Sequence, residues 1–156
     1  MKESVRSWLL RLVLNWVPCY RRTGARITFV SGDYREMRIK LPLSWKTRGY
    51  NGTLFGGSMY GAIDPIYVAM LSWHLGKDYI VWDKAATVEF RRPGRSTLYA
   101  TFAVGQDSLD EIRKQLVHAA KVERSFDLAL VDASGVPHVS FTKTIQVRRR
   151  DVAVRR

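Results

Sequence analysis

One acidic residue, Asp64, lies within the most apolar stretch of the chain, residues 51–74, NGTLFGGSMYGAIDPIYVAMLSWH, and Gly52, Gly56 and Gly57 open that stretch. Glycine lets a backbone turn tightly and approach a ligand closely. A helix starting near Gly56 leaves its first N–H groups uncovered, at the end where negative charge is favoured. Met59, Ala62, Ile63, Ile66, Met70 and Trp73 follow helical spacing, and Tyr60, Asp64, Tyr67, Leu71 and His74 form a second stripe nearly as apolar. A helix apolar on most sides is wrapped by other structure, and an ionised carboxylate there costs on the order of several kcal/mol unless something compensates it. Such an acid can serve as a general base or a nucleophile, or as a structural hydrogen-bond acceptor. Residue type alone leaves these open.

Pro65 follows Asp64 directly. It cannot donate to the carbonyl of Gly61, and the residue before a proline resists helical geometry, so the helix is expected to kink at Asp64. Glycine at position 61 relieves part of the crowding.

The elements that must position this stretch can be read in chain order. Residues 3–17, ESVRSWLLRLVLNWV, read as a helix ending before Pro18, with Trp8, Leu9, Leu12, Val13, Trp16 and Val17 on a broad apolar face. Arg11 and Asn15 interrupt it, so its apolar core falls short of the ~20 residues that span a bilayer, and no small-residue cleavage site of the signal-peptide type is seen. Its face can pack on the domain's own sheet, on a partner subunit, or on a membrane surface. After a loop over 19–24, strands are expected over Ala25 to Ser31 and Tyr34 to Leu41, joined by a turn at Ser31-Gly32-Asp33. Gly76 stops the central helix, and a strand over Tyr79 to Arg91 follows, with Ile80, Trp82, Ala86, Val88 and Phe90 facing one way and Asp83 the other. Pro93-Gly94 turns into a strand over Ser96 to Val104. Ser108 and Glu111 match a capping box for a helix from about Leu109 to Ala120. A last hairpin, Val122 to Asp132 and Val136 to Arg148, buries Val139, Phe141, Ile145 and Val147. The order implies an α+β fold, a six-stranded antiparallel sheet curled around a central buried helix, in one domain over 1–156 with an extra amino-terminal helix over 1–20 and a basic tail over 148–156.

At 156 residues, with 46% hydrophobic and 12% aromatic content, one sizeable core is expected. Lys+Arg 26 against Asp+Glu 14 gives +12, which favours anionic partners: nucleic acid, a membrane surface, or a phosphorylated ligand such as coenzyme A. Neither a helix-turn-helix pattern nor aromatic and basic residues interleaved on one strand face is present, so nucleic acid is not expected. The single Cys19 excludes an internal disulfide, and a reducing cytoplasm is the expected location. His74, His118 and His138 show no metal-ligand spacing, and no metal is expected.

The segments GTLFGGSMYGAIDP and YIVWDKAATVEFRRPGR resemble the hotdog-fold thioesterases of the phenylacetate-degradation type, most closely a little-characterised bacterial branch of that superfamily. The resemblance extends from about Ala25 to Arg148, with its specific part over Gly52 to Arg95. It implies an acyl-CoA or related acyl-carrier thioester hydrolase, with no cofactor beyond the coenzyme A of the substrate. Family members carry His-Gly-Gly with an acid nine residues after the histidine; here Phe55-Gly56-Gly57 and Asp64 occupy those places. Asp64 would then be the base or nucleophile, and the Gly56 and Gly57 amides the oxyanion donors.

The resemblance also implies a side-by-side homodimer or a homotetramer in which the glycines of one subunit face the acid of another. Arg91, Arg92 and Arg95 would contact coenzyme A phosphates, or form an exposed basic turn. Asp83 falls where related enzymes place a polar residue near the site; pairing with Lys84 or another surface cation is the alternative. Tyr60 and Tyr67 lie one turn either side of Asp64, as site or core residues. Phe55 stands where the motif has histidine, and Gly49 where it often has asparagine, with Asn51 nearby as a substitute. With those changes, a non-catalytic acyl or acyl-CoA binding protein on the same fold is the second expectation.

Overall fold

The computed structural model describes residues 2–150. In chain order it contains α1 (Val5–Trp16), α2 (Pro18–Arg22), β1 (Arg26–Val30), β2 (Glu36–Leu41), α3 (Gly56–Ile63), α4 (Ile66–Leu75), β3 (Tyr79–Phe90), β4 (Leu98–Ala103), α5 (Gln106–His118), β5 (Lys121–Val131) and β6 (Pro137–Arg149). The six strands form one antiparallel sheet in the order β1-β2-β4-β5-β6-β3. It curls around α3 and α4, whose Ile63, Ile66, Met70 and Leu71 are buried against Ile39, Leu41, Leu98, Phe102, Phe141 and Ile145.

The expected strand order holds throughout, and the differences are local. Pro18 begins α2 rather than a loop, because a proline at the first helical position forfeits no hydrogen bond. Gly105 stands at the N-cap of α5, so Ser108 lies inside that helix and the expected capping box is absent. Arg148 and Arg149 belong to β6, with the Arg148 guanidinium 4.9 Å from the Trp82 ring, so the strand claims the start of the expected tail. The tail residues 151–156 lie outside the described residues. Trp73, expected to face inward, is largely exposed and packs on the Tyr34 ring at 4.4 Å.

A bulge in β3 changes the parity of that strand. Asp83 pairs with Ile145, but Ala85 pairs with Thr144, so one extra residue is accommodated between them. Opposed residues in an antiparallel pair point to the same side of the sheet. Val81 and Asp83 therefore share the inner face with Val147 and Ile145, and beyond the bulge Ala86, Val88 and Phe90 share it with Lys143, Phe141 and Val139. The expectation that Ile80, Trp82, Ala86, Val88 and Phe90 face one way is corrected: Ile80 and Trp82 face out. Asp83 does oppose Trp82, but it lies on the same face as Val88.

The free edge of β1 is closed by side chains of α1. Asn15 Nδ2 donates to the Ile27 carbonyl at 2.9 Å and its Oδ1 accepts from the Ile27 N–H at 2.9 Å, so one amide takes the place of a neighbouring strand. Glu3 Oε1 accepts from the Val30 N–H at 3.2 Å and is itself held by Arg11 Nε at 2.9 Å. Ser7 is buried in a capping box with Ser4. The polar face of α1 thus points inward. Replacing Asn15 with alanine orphans both Ile27 groups and is expected to lower stability by about 2 kcal/mol. Urea unfolding together with amide exchange at Ile27 checks this; an unchanged midpoint would refute the edge-closing role.

Candidate functional site

The helix break falls where Pro65 requires it. The Asp64 N–H still donates to the Tyr60 carbonyl at 3.1 Å, α3 ends at Ile63, and α4 resumes at Ile66. The Asp64 carbonyl, near the end of α3, then meets Lys143 from β6. Lys143 Nζ donates to that carbonyl at 3.1 Å and to Asp64 Oδ1 at 2.9 Å. It also sits 2.7 Å from Asp83 Oδ1, as an ion pair rather than an aligned hydrogen bond. The Lys143 side chain is fully buried, at 0% exposure, whereas Asp64 keeps 44% and Asp83 24%. The expectation of an Asp64 buried inside its helix is thereby corrected: its carboxylate sits at the break, half open to solvent.

The electrostatics follow from one ammonium shared by two carboxylates. Burial is the largest influence on Lys143 and favours the neutral amine, but Asp83 and Asp64 together outweigh it and hold the ammonium above its ordinary range. Asp83 is pushed up, first by burial and then by the nearby Asp64 charge, against the pull of Lys143. Tyr60, whose ring lies 5.3 Å from Lys143 Nζ, has its phenol raised mainly by burial, with Asp64 adding to the rise and Lys143 opposing it.

Asp64, Asp83 and Tyr60 are therefore brought together, and Lys143 is the residue that sequence reasoning missed. Its signal was present: Val139, Phe141, Ile145 and Val147 alternate as core residues, and position 143 falls in that same phase. The cation beside Asp83 is this buried lysine, since Lys84 instead pairs with Glu123 at 2.6 Å.

Gly56 and Gly57 begin α3 as expected, with Phe55 at the N-cap and no side chain capping the first turn. A Cβ on Gly57 would run into the Phe55 ring, and one on Gly56 would come within 3.3 Å of the Phe90 ring. Phe90 is a second neighbour that sequence reasoning did not assign. Seven residues separate Gly57 from Asp64, and at ~1.5 Å per helical residue that is about 10 Å, too far for the amide and the acid of one chain to grip one carbonyl group.

The remaining candidates are dispersed. Asn51 is exposed in the loop before α3, close to a turn in which Gly52 N–H donates to the Gly49 carbonyl at 3.0 Å. That loop is tied to the Pro93 turn through the Leu54 N–H, which donates to the Gly94 carbonyl at 2.8 Å. Arg91 pairs with Glu89 at 2.7 Å and lines a groove with Thr87, Asp127 and Thr142 on the outer sheet face, away from Asp64. Arg92 and Arg95 are exposed. Tyr67 is a core residue, stacked on Phe126 at 4.3 Å, its phenol pushed up to about 12 chiefly by burial. His74 and His118 stand apart from Asp64 in sequence and bond pattern, and His138 bonds Asp132 at 3.2 Å. Among the described residues, no group of three His, Cys, Asp or Glu side chains is placed to hold a metal ion.

A sequence family described as a domain of unknown function, DUF4442, matches residues 6–147. The chain belongs to that family. Solved structures similar to this DUF4442 domain include a Pseudomonas aeruginosa protein of unknown function described as a probable thioesterase, with 17% identity, TM-score 0.81, and coverage of 95% of this chain and 99% of that one. A Haemophilus influenzae thioesterase matches with 13% identity, TM-score 0.68, and coverage of 100% and 97%. The PaaI protein of the Escherichia coli phenylacetic acid degradation operon matches with 16% identity, TM-score 0.63, and coverage of 95% and 96%. No curated protein sequence matches the chain. These likenesses fix the fold of the DUF4442 domain as the hotdog fold, α+β, as the resemblance in sequence implied.

Lys143→Met leaves two carboxylates without their shared cation and is expected to cost about 3 kcal/mol, because removing one partner of a buried pair strands the other charge. Adding Asp83→Asn should restore part of that loss. A raised lysine contributes stability below its ordinary range and loses it as pH climbs through the raised value, so the gap between wild type and Lys143→Met should persist at neutral pH and narrow only in alkali. Denaturant midpoints across pH test both points.

Proposed function

We propose that this chain hydrolyses the thioester of an acyl-CoA or a related acyl carrier, with Asp64 as the reacting acid. The observation that carries this reading is a half-accessible carboxylate, anchored by a buried lysine, on a helix whose uncapped glycine start offers free amides. The thioesterase-like descriptions of its fold neighbours support the substrate class.

In this reading Lys143 grips Asp64 Oδ1, and Oδ2 is the oxygen that reacts. That oxygen takes a proton from water as the water oxygen attacks the thioester carbonyl. The carbonyl oxygen becomes an oxyanion held by the Gly56 and Gly57 amides, worth about 3 kcal/mol for one good donor. Collapse breaks the carbon–sulfur bond, and the proton returns to the leaving thiolate, giving a carboxylic acid and a free thiol. Direct attack by Asp64 through an acyl anhydride gives the same products.

With about 10 Å between Gly57 and Asp64 along one helix, this reading draws the two groups from different chains. Among the described residues β3, 12 residues long, is the last strand at its side of the sheet, and several of its residues are exposed on both faces. Such an edge pairs readily with another strand. A homodimer joined there would set the Gly56-Gly57 amides of one subunit toward the acid of its neighbour, with Arg92 and Arg95 free to meet coenzyme A phosphates. The second reading is acyl binding without turnover, favoured by Phe55, whose ring lies against Gly57 and cannot hydrogen-bond.

Free-thiol release from short, medium, long and aryl acyl-CoAs tests the proposal. Turnover is expected, falling about a hundredfold or more in Asp64→Asn. Ligand binding without turnover on every chain would establish the acyl-binding reading instead. The shared site has its own test: mixing inactive Asp64→Asn with inactive Gly57→Val should recover roughly a quarter of wild-type activity through mixed dimers. No recovery from freely exchanging subunits would confine the site to one chain.

A further inference from the structure

The helix α1 carries its apolar face outward. Val5, Trp8, Leu9, Val13 and Trp16 recur at helical spacing and are all exposed, with Val5 at 75% and Trp16 at 68%. The opposite face packs Leu10 and Leu14 on the core and engages Ser7, Arg11 and Asn15 in the helix cap and the β1 edge, so the helix cannot turn over to bury the stripe. A surface helix of a globular domain normally presents the reverse arrangement.

Cations border this stripe. Trp16, Pro18, Arg21, Arg22, Trp45 and Lys46 line one depression; the Arg21 guanidinium lies 4.5 Å over the Trp16 ring, and Lys46 Nζ 5.2 Å from the Trp45 ring, which is 84% exposed. Neither α1 nor α2 contains an acidic residue. The preceding Glu3 is already engaged by Arg11 and the Val30 N–H.

We propose that this face, formed by α1, the start of α2 and the Trp45-Lys46 loop, docks the protein on the surface of a bilayer containing anionic lipid. Tryptophan prefers the boundary between headgroups and acyl chains, and flanking arginine and lysine meet lipid phosphates. α1 has 12 residues, against the ~20 that cross a bilayer, so it lies in the surface plane. A second copy is a poor occupant: face-to-face packing would set Arg21, Arg22 and Lys46 of both copies together with no carboxylate on either helix to pair them. This docking holds whether or not the chain turns over thioesters.

The test is co-sedimentation of the full chain with vesicles of phosphatidylcholine alone and with about a quarter replaced by phosphatidylserine. Wild type is expected to bind the phosphatidylserine vesicles, more weakly as salt rises. The pair Val13→Glu with Trp16→Glu, and separately Arg21→Glu with Arg22→Glu, should each lower binding by about tenfold or more. All four side chains are exposed, so circular dichroism and the urea midpoint should be unchanged, which separates lost docking from lost folding. Absence of wild-type binding overturns the proposal. So does binding that survives the Val13 and Trp16 changes, which would place it on the basic carboxyl-terminal segment. A concentration-dependent dimer that those changes dissolve, without vesicle binding, would assign the face to a second copy.

Discussion

Burial of the Lys143 ammonium is the constraint to which the centre of the fold answers. An ammonium withdrawn from water is costly without partners, and each partner here requires a departure from regular structure. The break at Pro65 places the Asp64 carboxylate and carbonyl at the end of α3. The bulge after Asp83 shifts the parity of β3, so that Asp83 shares the inner face with Ala86, Val88 and Phe90. A broken helix and a bulged strand are thus two halves of one accommodation. The resulting cluster sets one cation against two carboxylates, of which Asp64 is the more exposed.

The two edges of the sheet are treated in opposite ways. At β1, Asn15 and Glu3 occupy the backbone groups that another strand would claim. At β3, no such cover is present among the described residues, and at 12 residues the strand is second in length only to β6. Closing the first edge has a price: the polar groups of α1 are turned inward beside Leu10 and Leu14, and Val5, Trp8, Leu9, Val13 and Trp16 are left facing out. The outward stripe of α1 is therefore a consequence of how β1 is capped.

What the sequence made legible was what depends on local pattern. Alternation along 98–104 and 139–147 identified buried strand faces because each side chain there follows the strand period. Proline after Asp64 marked the break, and Gly76, at φ 81°, marked the end of α4. What escaped depends on residues distant in the chain. The bulge at Asp83 is set by its register against β6, some sixty positions away, and no spacing within 79–90 betrays it. The inward polar face of α1 is set by the free edge of β1; from 3–17 alone, the apolar face was the natural side to bury. Lys143 was the one long-range feature with a local trace, a charge in a core phase.

The pairing of Lys143 with Asp64 also bears on what kind of acid Asp64 can be. Lys143 holds the Asp64 carboxylate through Oδ1 at 2.9 Å and the Asp64 backbone carbonyl at 3.1 Å, so one cation fixes both ends of the residue. The same ammonium stands 2.7 Å from Asp83 Oδ1, so both carboxylates are set against one cation. Of the two carboxylates it is Asp83 whose carboxyl is pushed up, by its burial and by the Asp64 charge, against the pull of Lys143. The triad thus fixes Asp64 from a fully buried anchor while the Asp64 side chain keeps 44% exposure.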